Sequence, residues 1–165
     1  MIIKSILDYS NKNSIENFNC GNAALDTYLK QYASQNDKNN ISKTYLYVND
    51  NDDVVGFVTL CAASIDSKTL PKDLQKLPNY PIPAIRIARL AVDLNNQGNH
   101  VGKELLRFAL RRIAVVSTSI GVKFAIVDAK EESKSFYEKY GFVSLLDRQL
   151  TYILPVETII KAIIN

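Results

Sequence analysis

The sequence has one histidine, two cysteines and no tryptophan in 165 residues. With His100 as the sole imidazole, zinc sites built from several histidines are excluded. A Ser-His-Asp triad would have to run through that one residue. Cys20 and Cys61 are too few for a zinc ribbon or a disulfide framework, and they read as reduced thiols in a cytoplasmic protein. No apolar run approaches the roughly 20 residues that span a bilayer. Residues 1–13 hold a short apolar run without a small-residue cleavage site, so no signal peptide is expected. Internal repeats and low-complexity tracts are also missing.

What is present fits an ordinary globular chain. The length predicts one domain over residues 1–165, large enough to fold without a metal or disulfide staple. A hydrophobic fraction of 47% with 22% charged residues excludes wholesale disorder. Charge is divided unevenly. Residues 1–83 carry 8 Lys/Arg against 9 Asp/Glu, net −1, and residues 84–165 carry 12 against 8, net +4. An anionic ligand is therefore expected on the C-terminal half.

The pattern of apolar residues divides the chain into elements. Residues 2–7 read as a first strand. Leu25, Tyr28, Leu29 and Tyr32 recur at three and four residues and predict an amphipathic helix over 22–33, opened by Cys20-Gly21-Asn22. Residues 44–48 and 54–65 predict a hairpin across the polar turn NDNDD. Pro71, Pro78, Pro81 and Pro83 mark a long irregular connection of the kind that often carries function. A buried strand over 84–92, a helix from Gly102 to about Thr118 and a strand over 123–128 make a right-handed, parallel βαβ unit. A short helix over 131–140 ends at Gly141. A hairpin over 142–154 and a helix over 156–164 follow. On the short helix, Phe136 and Tyr140 are the expected core residues.

The loop after the buried strand, NNQGNHVGK over 95–103, precedes a helix. Glycine lets backbone approach a ligand closely. The first amides of a helix have no intrahelical acceptor and carry partial positive charge, so a diphosphate fits there.

Taken together, the strand RLAVD, the loop QGNHVG, the helix start GKELL and the segment FYEKYGF resemble the GNAT acyltransferase superfamily over roughly 84–145. Asn17-Phe18-Asn19-Cys20-Gly21-Asn22 with Leu25, Asp26, Tyr28 and Leu29, and VGFVTL over 55–60, resemble the GNAT-type toxins of bacterial toxin–antitoxin pairs. The resemblance implies an α/β fold, of mixed α+β character. Its central sheet is twisted and mostly antiparallel, with a splayed parallel strand pair, and helices flank it. It implies acetyl-CoA as cofactor, with the pantetheine on the backbone of Leu90, Ala91 and Val92. The diphosphate would lie on Gln97, Gly98, Asn99, His100, Val101, Gly102 and Lys103. No metal is implied.

Tyr137 matches the family's tyrosine that protonates the departing thiolate. Arg89, and with it Arg86, are the residues the resemblance offers to the acceptor. Arg89 could instead pair with Asp93 or Asp128, because a buried arginine needs a partner. The toxin resemblance further implies aminoacyl-tRNA as acceptor and a ribbon-helix-helix antitoxin as partner, and related toxins are often homodimers. The basic residues Lys103, Arg107, Arg111, Arg112, Lys123, Lys130, Lys134 and Lys139 could hold RNA phosphates. His100 stands where the family pattern has glycine, so a Cβ narrows the approach to the loop. Two other readings stay open at this point: an ordinary GNAT enzyme acting on a small amine or a protein N-terminus, and a non-catalytic GNAT-fold binding module.

Overall fold

In a computed structural model, which describes residues 1–164, the chain runs through β1 (Ile2–Ser5), α1 (Lys12–Asn17), α2 (Ala23–Thr27), a π-helical turn (Tyr28–Tyr32) and α3 (Ala33–Lys38). Next come β2 (Lys43–Val48), β3 (Val54–Ile65), β4 (Ile82–Val92), α4 (Val101–Val116) and β5 (Phe124–Asp128). The chain closes with α5 (Lys134–Lys139), β6 (Val143–Ser144), β7 (Thr151–Pro155) and α6 (Val156–Ile164). The strand order is β1-β2-β3-β4-β5-β7-β6. The pairs β1–β2, β2–β3, β5–β7 and β6–β7 are antiparallel, and β4–β5 is parallel. The mixed, mostly antiparallel sheet expected from the resemblance is thus present, with a parallel pair in β4 and β5.

The chain forms two compact units. Met1–Cys61 with Ala88–Ala109 makes the first, and Ala62–Ile87 with the chain from Leu110 onward makes the second.

In the first unit, β2 alternates as its sequence demands: Thr44, Leu46 and Val48 are buried and the residues between them are not. Residues 54–59 of β3 are buried without interruption, as in a strand covered on both faces. Phe18, Leu29, Ala33, Leu46, Phe57 and Ala91 pack into one core, with Phe18 edge-on to Phe57 at 5.6 Å. Inside this apolar setting the polar groups are matched. Thr44 and Thr59, direct cross-strand neighbours, share a hydroxyl hydrogen bond of 2.8 Å. Asp37 accepts the Thr44 amide at 3.0 Å and lies 3.1 Å from the Lys43 Nζ. Matching of this kind is required, since an unpaired buried polar group costs about 1–3 kcal/mol.

Gly56 has a packing reason to lack a side chain. A Cβ there would meet the Leu105 side chain at 2.8 Å and the Ala91 carbonyl oxygen at 3.0 Å. Its absence lets the first turns of α4 and the end of β4 close over β3.

The helix expected over 22–33 is longer and irregular. The Ala33 amide bonds to the Tyr28 carbonyl, five residues back, which is the π-helical step. That step puts Ala33, instead of Tyr32, one turn beyond Tyr28. Ala33 is accordingly buried and Tyr32 is exposed, although Tyr32 was expected on the apolar face. The short helix α1 was not expected at all, because KNSIEN has only Ile15 as an apolar residue.

In the second unit, Ile65, Leu70, Ile82, Ala84, Phe124, Ile126, Leu145 and Ile153 form the core. The proline-rich connection is tied down instead of loose. Leu70 is fully buried, its carbonyl accepts from the Gln75 Nε2 at 2.8 Å, and the Thr69 carbonyl accepts from the Leu146 amide at 2.9 Å. The expected final hairpin is present as β6 and β7, with Val143 opposite Ile153, but β6 is only two residues long.

Candidate active site

Pairing between the parallel strands stops early. Ala84 to Ile87 are in register with Phe124 to Val127, while β4 itself continues to Val92. Its end holds Ala88 to Val92, among them Leu90, Ala91 and Val92, the residues expected to meet a pantetheine. Where a strand leaves its neighbour, its N–H and C=O groups on that edge need another partner, and an amide-rich ligand supplies one.

The loop that follows is braced by the N-terminal segment. Asp93 caps it, with Oδ1 accepting the Asn95 amide at 3.0 Å and Oδ2 accepting the Asn19 amide at 3.1 Å. The Leu94 amide donates to the Asn19 carbonyl at 2.8 Å, and the Asp93 amide to the Val55 carbonyl at 2.9 Å. Gln97 Nε2 donates to the Val92 carbonyl at 3.1 Å and the Cys20 carbonyl at 3.2 Å. Asn19 and Cys20 therefore fix the loop, a role that residue type alone did not reveal. The Gln97 side chain is a brace, whatever its amide contacts. Burial, with the neighbouring Asp26, pushes the Cys20 thiol up to about 11, away from the thiolate form that a nucleophile uses.

Beyond this braced stretch the loop is open. Gly98 has φ +82, and a Cβ there would touch nothing within 4 Å. His100 is exposed with φ +62, in the left-handed region that glycine adopts without strain. The backbone at His100 therefore follows a course that the family's glycine would also take, and the imidazole points no apolar bulk into a packed core. The His100 carbonyl accepts the Glu104 amide at 3.1 Å, so it stands at the head of α4. The leading amides of α4, from Val101 to Lys103, are those without an intrahelical acceptor. This end of β4, the glycine-like loop and the helix start are of the type that holds a diphosphate and a pantetheine, so the residues present fit acetyl-CoA.

The two arginines of β4 are treated differently. Arg86 forms an ion pair with Asp128, which also accepts from the Thr151 hydroxyl at 2.9 Å. Arg89 pairs with neither of the carboxylates considered for it. It lies over the ring of Tyr28, 3.5 Å from the centroid.

Tyr137 sits on α5 in the second unit. It is 6% exposed, whereas Phe136 and Tyr140 are only half-buried, the reverse of the expected core choice. Its ring lies edge-on to Phe136 at 5.1 Å and to Phe142 at 5.6 Å. Burial pushes its hydroxyl up to about 12. A phenol is protonated near neutrality even at its ordinary value of about 10, and burial moves Tyr137 further in that direction. No other described residue hydrogen-bonds to that hydroxyl, whereas the Tyr152 hydroxyl is committed to Glu138 at 2.6 Å.

Of the basic residues considered for RNA, Arg107 pairs with Glu104, Lys123 with Glu157 and Lys134 with Glu131. Among the described residues no group of three His, Cys, Asp or Glu side chains is placed to hold a metal ion, and no helix is long and apolar enough to cross a membrane.

Comparison with known proteins gives three kinds of match. Residues 42–144 match the acetyltransferase (GNAT) domain family. The tRNA-acetylating toxin of Mycobacterium tuberculosis is 32% identical over 134 residues, covering 81% of this chain and 80% of that protein. Among solved structures, a tyrosine-to-phenylalanine mutant of KacT superposes with TM-score 0.89 at 26% identity, covering 98% of both chains. AtaT complexed with acetyl-methionyl-tRNAfMet superposes with TM-score 0.88 at 25% identity, covering 99% of both. AtaT has also been solved as a mutant bound to acetyl-CoA and the C-terminus of its antitoxin AtaR, a structure that matches with TM-score 0.84 at 23% identity over 99% of this chain and 98% of that one.

Proposed function

The chain belongs to the GNAT acetyltransferase family, and on that premise we propose that residues 1–165 form one domain that acetylates the α-amine of an aminoacyl-tRNA, a toxin activity that blocks translation. The observation that carries this reading is the β4 terminus with its loop: a strand end that outruns its parallel neighbour and leads, through glycine-like backbone at Gly98 and His100, into the head of α4. The 32% identity to a tRNA-acetylating toxin selects the acceptor class within the family.

Bound acetyl-CoA supplies a thioester whose carbonyl an amine can attack. The chain's part is to hold, orient and donate. Backbone amides of Leu90 to Val92 hold the pantetheine. Those of Gln97 to Lys103 face the diphosphate, where the helix dipole favours negative charge. Tyr137 donates its proton to the departing sulfur and regains one from solvent. An α-amine whose carboxyl is esterified is less basic than a lysine, so it loses its proton to water without a dedicated carboxylate. Arg89 meets the acceptor's nucleic-acid end. Arg86, already neutralised by Asp128, supports the strand instead.

The same reading gives the chain a cytoplasmic setting, a ribbon-helix-helix antitoxin as partner and a homodimeric state. AtaT with its bound antitoxin C-terminus supports the first type of partner in its broader form, an antitoxin. The test is mass spectrometry of total aminoacyl-tRNA after incubation with the protein and labelled acetyl-CoA. Label on the α-amine is expected; label only on free small amines would return the ordinary GNAT reading.

A further inference from the structure

Arg89 is half-buried, yet among the described residues it makes no ion pair and no hydrogen bond. A cation removed from water without a partner is costly. The two carboxylates considered for it are engaged elsewhere. Asp93 spends its two oxygens on the Asn95 and Asn19 amides, and Asp128 serves Arg86 and Thr151. What Arg89 has instead is the face of Tyr28. At 3.5 Å from the centroid the guanidinium is in van der Waals contact with the ring, which is a stacked arrangement. Stacking uses the guanidinium face and leaves the in-plane N–H donors uncommitted.

Tyr28 is itself held firmly. It is 5% exposed, and its hydroxyl shares a hydrogen bond of 2.9 Å with the Ser42 hydroxyl. It opens the π-helical turn, whose wider step seats Tyr28, Leu29 and Ala33 in the core together. Turns of this kind interrupt a helix at some cost and are concentrated at functional sites.

We propose that Tyr28 is a positioning residue for the acceptor, holding Arg89 by its ring face so that the guanidinium donors take a phosphate of the acceptor's nucleic-acid end. The assignment rests on the reading of Arg89 given above and adds the element that orients it. Tyr28→Leu removes the π face. It should raise KM for aminoacyl-tRNA about tenfold, with kcat and the acetyl-CoA Kd unchanged. Tyr28→Phe keeps the face and should restore KM, although it loses the bond to Ser42. In an Arg89→Ala background, Tyr28→Leu should have no further effect on KM. An equal loss in that background, or an unmoved KM, would overturn the proposal.

A second measurement needs no variant: the Arg89 side-chain N–H resonance of the wild-type protein, followed by 15N NMR during titration with deacylated tRNA. A ring-current-shifted signal that moves on titration is expected. A signal that stays fixed at saturating tRNA would overturn the proposal even if acetylated product forms. A signal that moves while no acetylated tRNA is ever detected would support the positioning role and refute the transfer reading instead.

Discussion

The two ends of β4 handle an arginine in opposite ways. At the end paired with β5, Arg86 is neutralised by Asp128, which the Thr151 hydroxyl also holds. Beyond that pairing, Arg89 rests on an aromatic ring, and among the described residues no carboxylate pairs with it. The residue type and the strand are the same; the difference lies in what surrounds each charge. The fold satisfies one cation internally and leaves the other, three residues on, with donors that no described residue takes up. Sequence reading could not make that distinction, since both residues appear as arginines inside an apolar run.

The comparison can be broken by mutation. The largest effect is expected at the chemistry itself, as the reference for the rest. Tyr137→Phe should lower kcat about 100-fold, the low end of general-acid contributions because a thiolate leaves readily, with KM for the acceptor unchanged. Since burial pushes this phenol up to about 12, wild-type kcat should show no alkaline loss attributable to it across about pH 6–10. An unchanged kcat in the variant would remove Tyr137 from the mechanism.

Arg89→Ala should show the opposite division. KM for aminoacyl-tRNA should rise about 30-fold, the scale of a charge-assisted hydrogen bond, while the urea midpoint stays level or rises. A large fall in stability would mean that Arg89 is structural, like Arg86.

Gly56→Ala tests whether the loop end of β4 depends on close packing. The added Cβ would press on the Ala91 carbonyl, which is backbone and cannot turn aside. A loss of about 1–3 kcal/mol is expected, with weaker acetyl-CoA binding by calorimetry. Full stability with full binding would show that this end of the strand has slack.

The smallest effect belongs to Arg86→Met. The pair with Asp128 is partly exposed, so its loss should cost at most about 1 kcal/mol and leave the acceptor KM within about twofold. A rise in KM like that of Arg89→Ala would erase the distinction between the two ends.

Much of the fold was legible because its patterns are long. β3 carries the bounds expected for it, and α4 shows its buried stripe of Leu105, Leu106, Ala109 and Ile113. What escaped was short or distant. Six residues of α5 after a 3-10 turn are too few to establish a helical face, so Phe136 and Tyr140 were preferred as core over Tyr137. The π-helical turn is a hydrogen-bond step that leaves no mark in residue types until Tyr32 turns outward. The loop and Tyr137 are proposed for the site on the family's motifs. The bracing contacts of Asn19 and Cys20, and the ring of Tyr28 against Arg89, left no mark there, because each joins residues far apart along the chain.

The most direct test of the whole account is to incubate the protein with labelled acetyl-CoA and total aminoacyl-tRNA, and to locate the label by mass spectrometry. An N-acetylated α-amine is expected on at least one aminoacyl-tRNA, in a yield that Arg89→Ala lowers while aminoacyl-tRNA is below KM and that returns as its concentration is raised. Aminoacyl-tRNA recovered unmodified from the active wild-type protein, with the label on other amines, would contradict the account.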